Sequence, residues 1–277
     1  MTLPLAGKVA LLTGAGRDRG IGQAAALELA RRGADVVVTD LARPSNISMA
    51  GLDTVALDRR ELDAIVAQIE DLGRRAVGIP LDVTDDAEAR AAVAEIVAEF
   101  GQIDILFNNA GTPLGAQPFL DLTEREWNLS WDVNVMGIVN LCRHVIPVMQ
   151  RGGGGSIINN SSLVGIKVLP GYAAYAATKA AAIALTKALA LDFGADGIRV
   201  NVVCPGDIDT QMGDIARRLA ESDEPTNDQE VPVELIALAR RGLASDVAGV
   251  VAWLASEDAA YVTGAAIPVD GAMPQGL

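Results

Sequence analysis

Aromatic residues, cysteines and long apolar runs are all scarce in this sequence of 277 residues. Phe, Trp and Tyr together make up 4% of it, so the core must be built from Ala, Val, Leu and Ile, as in a parallel sheet covered by helices. No apolar run approaches the about 18 residues of a membrane-spanning helix, and the run at 9–12 is too short for a signal peptide. We therefore predict no membrane span.

The two cysteines, Cys142 and Cys204, lack the paired spacing of a disulfide framework or a zinc site. No other cluster of residue types that ligate metals stands out in the sequence. We therefore expect a reducing, cytoplasmic location and no metal.

Positive charge is also in deficit, because 22 Lys and Arg residues face 36 Asp and Glu residues and the formal net charge is -14. A body with this charge repels a phosphate polymer, and no Lys/Arg-rich run offsets the repulsion. We therefore expect neither nucleic acid nor an anionic membrane surface as a partner.

Short β-branched runs alternate with Ala-rich amphipathic stretches along the chain. The runs predict strands at 8–12, 36–39, 76–80, 103–107, 156–159, 199–203 and 265–269, and the stretches predict helices at 21–32, 57–72, 86–100, 124–150, 172–193 and 244–255. This alternation indicates an α/β fold with a Rossmann-type doubly wound parallel sheet and helices on both faces. No break in composition marks a second domain, so we predict one domain over 1–277, with an acidic substrate lid at 207–233.

The first predicted strand leads into a glycine-rich turn, TGAGRDRGIG, which occupies Thr13 to Gly22. Backbone N–H groups in such a turn, and the positive end of the helix that follows, attract a pyrophosphate. Glycines let the phosphates approach the backbone closely. Taken alone, the pattern is equally typical of a tight turn.

Asp40 strengthens the signal because it lies at the end of the second predicted strand, 18 residues beyond Gly22. A carboxylate there can accept hydrogen bonds from ribose hydroxyls and repels a 2′-phosphate, which favours NAD over NADP. Arg17 and Arg19 favour the opposite choice, because a guanidinium in this loop could pair with that phosphate. Their alternative interpretation is as solvated loop charges paired with Asp18. We predict NAD as the cofactor.

Tyr175 and Lys179 are four residues apart on a predicted helix, so they share one face of it. An ammonium beside a phenol favours the phenolate, and we expect the pKa of Tyr175 to lie below its usual value of about 10. Such a phenol can pass a proton to or from an alcohol near neutral pH. Alone, however, the pair could be an exposed Tyr and Lys on an alanine-rich helix.

Several further motifs accompany this pair in one order along the chain. They are TGAGRDRGIG, Asp82-Val83, Asn108-Asn109-Ala110-Gly111, Asn134, Ser162, Tyr175 with Lys179, and Pro205-Gly206. From Lys8 to Gly271 the sequence thereby resembles the short-chain dehydrogenase/reductase family, in its compact single-domain branch. The ordered set is far more specific than any one motif.

The resemblance implies four catalytic residues. Tyr175 resembles the family's proton donor and acceptor, and Lys179 resembles the residue that lowers the tyrosine pKa and binds the nicotinamide ribose. Ser162 resembles the hydroxyl that holds the substrate oxygen, and Asn134 resembles the asparagine that anchors a water near the lysine. The full set of expected cofactor contacts comprises Gly14, Arg19, Gly20, Ile21, Gly22, Asp40, Asp82, Val83, Asn109, Ala110, Gly111, Tyr175, Lys179, Pro205, Gly206, Ile208 and Thr210.

The activity that the resemblance implies is hydride transfer between NAD and a secondary alcohol or its ketone, with a polyol, sugar, steroid or cyclic alcohol as the small-molecule substrate. One alternative is an NADP-dependent 3-ketoacyl reductase, although an acidic surface would dock an acidic carrier protein poorly. Others are a non-catalytic dinucleotide-binding regulator, and an epimerase or lyase that uses the same tyrosine and lysine. Many family members are homotetramers, so the resemblance also implies a homo-oligomer, a tetramer.

Two segments depart from the family's pattern. Five residues separate Gly14 from Gly20 where the family usually has three, which leaves open which residues of the turn contact phosphate. The segment at 41–54 is also longer than usual and could cover adenosine or serve assembly.

Overall fold

The structure is a computed structural model that describes residues 3–41, 48–49, 52–53, 59–214 and 233–274. Its centre is a parallel sheet of seven strands: β1 (Val9–Thr13), β2 (Asp35–Asp40), β3 (Ala76–Pro80), β4 (Ile105–Asn108), β5 (Gly155–Asn160), β6 (Ile198–Pro205) and β7 (Ala266–Val269). The strand order is β7-β6-β5-β4-β1-β2-β3. The order reverses between β1 and β4, and in such sheets a crevice lies outside the carboxyl ends of the strands at the reversal.

Helices cover both faces of this sheet. One face carries α1 (Ile21–Arg31), α2 (Arg59–Asp71) and α7 (Ala244–Ala255), and the other carries α3 (Asp86–Phe100), α5 (Gly137–Gly152) and α6 (Ala173–Phe193). The short helix α4 (Glu124–Trp131) precedes α5. The predicted Rossmann-type doubly wound fold is therefore confirmed.

The strands are apolar along their whole length because each one contributes to two cores. In β1, Ala10 and Leu12 belong to the core beneath α1 and α7, whereas Val9 and Leu11 belong to the core beneath α3 and α5. This alternation follows from the two-residue period of a strand. Burial of one leucine side chain contributes about 1.5–3 kcal/mol, so both cores hold the strand in its register.

Most predicted elements end within two residues of their observed bounds, and the single helix predicted at 124–150 is observed over 124–152 with one irregular turn. The structure divides it into α4 and α5, which are joined by a π-helical turn, Asp132–Met136. A π turn widens the helix by one residue, and such turns are frequent at functional sites. Asn134 lies in the middle of this one.

Two predicted features lie partly outside the described residues. The lid at 207–233 is described only at 207–214 and 233, so its role stays a prediction. Within the long segment at 41–54, the structure describes Leu41 and a short antiparallel pairing of Ser48–Met49 with Leu52–Asp53.

Among the described residues, one helical stretch is long and apolar enough to cross a membrane by length and composition. It is Ala173–Asp196, with a mean hydropathy of 1.2, and it contains α6. The helix packs along β6, and Ala174, Ala182 and Thr186 on its inner face are buried. This packing accounts for its apolar composition.

Candidate active site

Four strand ends meet at one edge of the sheet, around the crevice between β1 and β4. The glycine-rich turn follows β1, Asn109 follows β4, Ser161 follows β5 and Gly206 follows β6. Helix α6 begins close by, since the backbone N–H of Tyr175 points to the carbonyl of Gly115 in the loop after β4. The fold thus brings together predicted site residues that are far apart in sequence.

Close packing explains the glycines of the first turn. Gly14 has a φ of +62°, and a Cβ on it would lie 2.7 Å from the Cα of Ala110. A Cβ on Gly22 would lie 2.5 Å from the carbonyl oxygen of Gly14. Asn109 secures the same turn, because its Nδ2 donates to the carbonyl oxygens of Thr13 and Gly14 at 3.1 and 2.8 Å. These contacts fix the turn against the end of β4.

In the lengthened turn, the backbone N–H groups of Ala15 and Gly16 form hydrogen bonds within the protein. Ala15 donates to the carbonyl of Thr39 at 3.0 Å, and Gly16 donates to Oδ2 of Asp40 at 2.9 Å. The turn then closes at Gly20, which precedes α1 and has no side chain to cover the end of the helix. The first N–H groups of α1 and its positive end therefore fit a pyrophosphate.

Asp40 is buried, with 8% of its surface exposed. Its Oδ2 accepts the N–H of Gly16, and its Oδ1 accepts the N–H of Leu41 at 2.8 Å. Burial raises the pKa of this carboxyl, and the Gly16 hydrogen bond and the nearby Arg17 charge oppose the rise. Asp40 therefore braces the glycine-rich turn, and each of its oxygens keeps a further lone pair that could accept a ribose hydroxyl.

Ser162, Tyr175 and Lys179 lie together beside the ends of β4 and β5. The Ser162 side chain is within hydrogen-bonding reach of the Tyr175 phenol, and Nζ of Lys179 lies 5.5 Å from the centre of the Tyr175 ring. Lys179 is 5% exposed, and its Nζ donates to the carbonyl of Asn160 at 3.1 Å. The Tyr172 ring lies 6.3 Å from the Tyr175 ring, centre to centre, and forms a wall beside it.

The expectation that the pKa of Tyr175 lies below its usual value of about 10 is wrong for this structure. Burial raises the pKa of Tyr175 to about 12, and the hydrogen bond from Ser162 opposes the rise only in part. Burial also lowers the pKa of Lys179 to about 8. Desolvation disfavours the charged form of both groups, and the hydrogen bond of the ammonium goes to Asn160 rather than to the phenol.

Asn134 connects three parts of the site through its side chain. Oδ1 accepts the N–H of Thr112 at 2.9 Å, and Nδ2 lies 3.1 Å from the Thr112 carbonyl. Nδ2 also lies 3.1 Å from Oγ1 of Thr178 on α6 and 3.3 Å from Oγ of Ser130 on α4. The π turn thereby ties the loop after β4 to the helix that carries Tyr175 and Lys179.

Replacing Asn134 with Ala is expected to lower the free energy of unfolding by about 2–4 kcal/mol, because it leaves the buried N–H and carbonyl of Thr112 without this partner. Urea denaturation measures the change. Asn128→Ala, an exposed position on α4, is the matched control and should stay within about 0.5 kcal/mol of the parent protein. Equal stability of the two variants would contradict the connecting role.

The other expected cofactor contacts lie along the same edge. Asp82 and Val83 follow β3, where Oδ1 of Asp82 accepts the Thr84 hydroxyl at 2.7 Å and the Val83 carbonyl accepts Nδ2 of Asn140 at 2.9 Å. Beyond β6, Gly206 packs so closely that a Cβ on it would lie 2.8 Å from the Cβ of Asp270.

Further members of the expected set border this edge. Ile208 and Thr210 are buried beyond Gly206. A Cβ on Gly111 would lie 3.4 Å from Nζ of Lys179, so the end of β4 reaches the amine. The contacts of these residues with a cofactor stay predictions.

Sequence reasoning missed two sets of contacts. Asn160 holds Lys179 with its carbonyl, and its Nδ2 donates to Oδ1 of Asn109 at 2.9 Å. A polar residue at the end of an apolar strand was the available signal. Arg19 donates to Oδ1 of Asp209 at 2.7 Å rather than pairing with Asp18, and no sequence signal links residues so far apart.

Comparisons with known proteins show what this chain is similar to. The chain matches the family model described as Enoyl-(Acyl carrier protein) reductase over residues 14–273. It is 39% identical over 266 residues to a 3-oxoacyl-(acyl-carrier-protein) reductase of Staphylococcus aureus, covering 96% of this chain and 98% of the relative. It is also 39% identical over 278 residues to a cyclohexanol dehydrogenase of a Rhodococcus species, covering 98% and 97%. The crystal structure of carveol dehydrogenase from Mycobacterium avium in complex with NAD aligns over 98% of both chains, with a TM-score of 0.85 and 32% identity.

Proposed function

Because this chain belongs to the short-chain dehydrogenase/reductase family of oxidoreductases, we propose that it transfers a hydride between NAD and a secondary alcohol or its ketone. The observation that carries the proposal is the grouping of Ser162, Tyr175 and Lys179 at the crevice. When bound, the nicotinamide supplies the carbon that gives or takes the hydride. The protein has to hold the substrate oxygen and move one proton.

Tyr175 is the proposed group for the proton. With its pKa raised to about 12, the phenol is protonated at neutral pH, which is the form that donates to the oxygen of a ketone. The Ser162 hydroxyl, within reach of the phenol, would hold the same oxygen. A positive charge on Lys179 would favour the phenolate that the reverse reaction, alcohol oxidation, requires.

The choice of NAD rests on Asp40. Its carboxylate is fixed at the end of β2 by two backbone N–H groups, where a negative charge would repel the 2′-phosphate of NADP. The NAD-bound carveol dehydrogenase, at 32% identity, supports this choice by analogy.

Asp40→Ser is expected to raise the ratio of kcat/KM for NADP to kcat/KM for NAD by about tenfold, because removing the repulsion is worth about 1.4 kcal/mol or more. Initial rates with the two cofactors at one substrate concentration measure the ratio. Asp18→Ser removes the same charge from the adjoining turn and should leave the ratio near that of the parent protein. A parent enzyme that already prefers NADP would contradict the proposed role of Asp40.

We further propose an apolar, uncharged substrate such as a cyclic alcohol or ketone. Leu163, which follows Ser162, is buried in a small cluster with Ile236 and Met273. The nearby ammonium of Lys167 lies 3.4 Å from Oδ2 of Asp270 and donates to the Met273 carbonyl at 3.0 Å, so its charge is already paired. The names of the cyclohexanol and carveol dehydrogenases support the same substrate class by analogy.

A 3-ketoacyl reductase is the second candidate, favoured by the 39% identity to the Staphylococcus aureus relative. The net charge of -14 opposes it, because an acidic carrier protein would be repelled. The deciding experiment follows the absorbance of NADH and NADPH. The alcohols (cyclohexanol, a polyol and a hydroxysteroid) are tested for oxidation, and a 3-oxoacyl thioester is tested for reduction.

We expect turnover of the cyclic alcohol with NAD. Turnover of the thioester with NADPH alone would support the second candidate. Nucleotide binding without any turnover would favour the regulator, and product formation without net change in NADH would favour an epimerase or lyase. The same preparation in a sedimentation experiment tests the proposed tetramer.

A further inference from the structure

An ion pair joins the glycine-rich turn to the segment that follows β6. Nη2 of Arg19 lies 2.7 Å from Oδ1 of Asp209 and 3.5 Å from Oδ2 of Asp214. The three side chains are between 37% and 49% exposed, so they lie at the surface of the protein. The pair therefore connects the turn after β1 with the segment after β6.

The strand order shows what the pair spans. β1 and β6 are separated by β5 and β4, so their ends lie three strand positions apart. At a spacing of about 4.8 Å between strands, that distance is about 14 Å. The ends of β4 and β5 lie between them, and they carry Asn109 and Ser162. The ion pair thus links segments on either side of the strand ends at which a dinucleotide would lie.

Both ends of the pair are anchored by the backbone. Arg19 adopts a left-handed conformation, with a φ of +56°, directly before Gly20 and the start of α1. Asp209 belongs to a short strand, Ile208–Asp209, that pairs in parallel with Gly242–Leu243. The N–H of Asp214 donates to the carbonyl of Thr210 at 3.0 Å. With both backbones held, opening the pair requires only the side chains to move.

We propose that the Arg19–Asp209 ion pair is a strap across the dinucleotide crevice, and that it opens each time the cofactor leaves. The inference rests on the proposed function, since it assumes a dinucleotide in this crevice. Asp214, five residues after Asp209, contributes a second and longer contact to Arg19. Arg19 and Asp209 are then positioning residues that set the rate of cofactor release, and the chemical step does not depend on them.

A different role for Arg19 predicts the opposite effect of Asp209→Asn on the rate of cofactor release. If Asp209 only competes with a cofactor phosphate for the guanidinium, then removing the Asp209 charge frees Arg19 and slows release. If the pair is a strap, then removing either charge speeds release. Asp209→Asn therefore separates the two roles, whereas Arg19→Gln speeds release under both.

The experiment measures NADH release in a stopped-flow instrument, by displacing bound NADH with excess NAD and following its fluorescence. We expect Asp209→Asn and Arg19→Gln each to speed release by about two- to fivefold, which is the range for one half-exposed ion pair. The double variant should be no faster than either single variant, because both remove the same contact. At about 1 M salt the difference between parent and variants should vanish.

Glu99→Gln is the matched control. It removes the same charge from an ion pair with Arg75, at 2.6 Å, at the opposite end of the sheet, and release should match the parent protein. Slower or unchanged release in Asp209→Asn would overturn the strap. A parent protein that does not bind NADH would instead contradict the proposed function, so the two failures are distinguishable.

Discussion

Tyr175→Phe is expected to lower the rate of ketone reduction by about 10²- to 10⁴-fold, the range that one positioned proton donor contributes. The substitution removes the phenolic oxygen and keeps the ring that packs against Tyr172. NADH binding should be retained, because the turn at Gly14 and the carboxylate of Asp40 are untouched. Steady-state rates from NADH absorbance and a fluorescence titration of NADH measure the two quantities.

Tyr172→Phe is the control for this result. It makes the same chemical change at the neighbouring ring, 6.3 Å away, and should change the rate by less than about tenfold. If Tyr175→Phe turned over like the parent protein while it bound NADH tightly, the phenol would not be the proton donor. The proposed mechanism would then be wrong.

Lys179→Met is expected to lower turnover by at least about 10²-fold and to stabilise the protein at pH 7. Burial lowers the pKa of Lys179 from 10.5 to about 8, so at pH 7 the folded protein contains a buried ammonium that costs roughly 3 kcal/mol. Methionine removes the charge but also leaves the Asn160 carbonyl without its donor, which costs about 1–2 kcal/mol. The net gain in the free energy of unfolding should be about 1–2 kcal/mol.

The sign of the pH dependence provides a second check on this prediction. Between pH 8 and 10.5 the unfolded chain binds the Lys179 proton while the folded chain has released it, so parent stability rises across this window. The advantage of Lys179→Met, measured by urea denaturation, should therefore shrink from pH 7 to pH 10. Lys187→Met, an exposed position on the same helix, should show neither the stability gain nor the loss of turnover. An advantage that persists at pH 10 would contradict the buried charge.

The fold could be predicted from periodic patterns, because strands that are buried on both faces of a sheet are apolar along their whole length. β3, α3 and α7 were predicted at their observed bounds, since each is an apolar or Ala-rich run with a clear start and stop. The π turn at Asn134 could not be predicted in this way. One extra residue in a helix barely changes the hydrophobic pattern, and the hydrogen bonds that hold the turn go to Thr112 and Thr178, which are distant in sequence.

The candidate site was predicted residue by residue wherever a motif carried it, as for Ser162 and the pair Tyr175 and Lys179. The direction of the pKa shift of Tyr175 was not predicted correctly. Spacing shows which groups are neighbours, but it does not show how completely water is excluded from them. Desolvation decides the direction of the shift here, and it depends on the packing of α6 against the strand ends.

The order of the amino acids was sufficient to determine the parallel sheet, the turn that favours a pyrophosphate and the residues suited to proton transfer. These properties depend on local propensity, residue chemistry and short spacings, all of which can be read along the chain. Only the folded molecule decided that Lys179 is held by Asn160 and that Arg19 reaches Asp209. Such contacts join residues brought together by the sheet, and their strength depends on distance and burial, which no linear pattern contains.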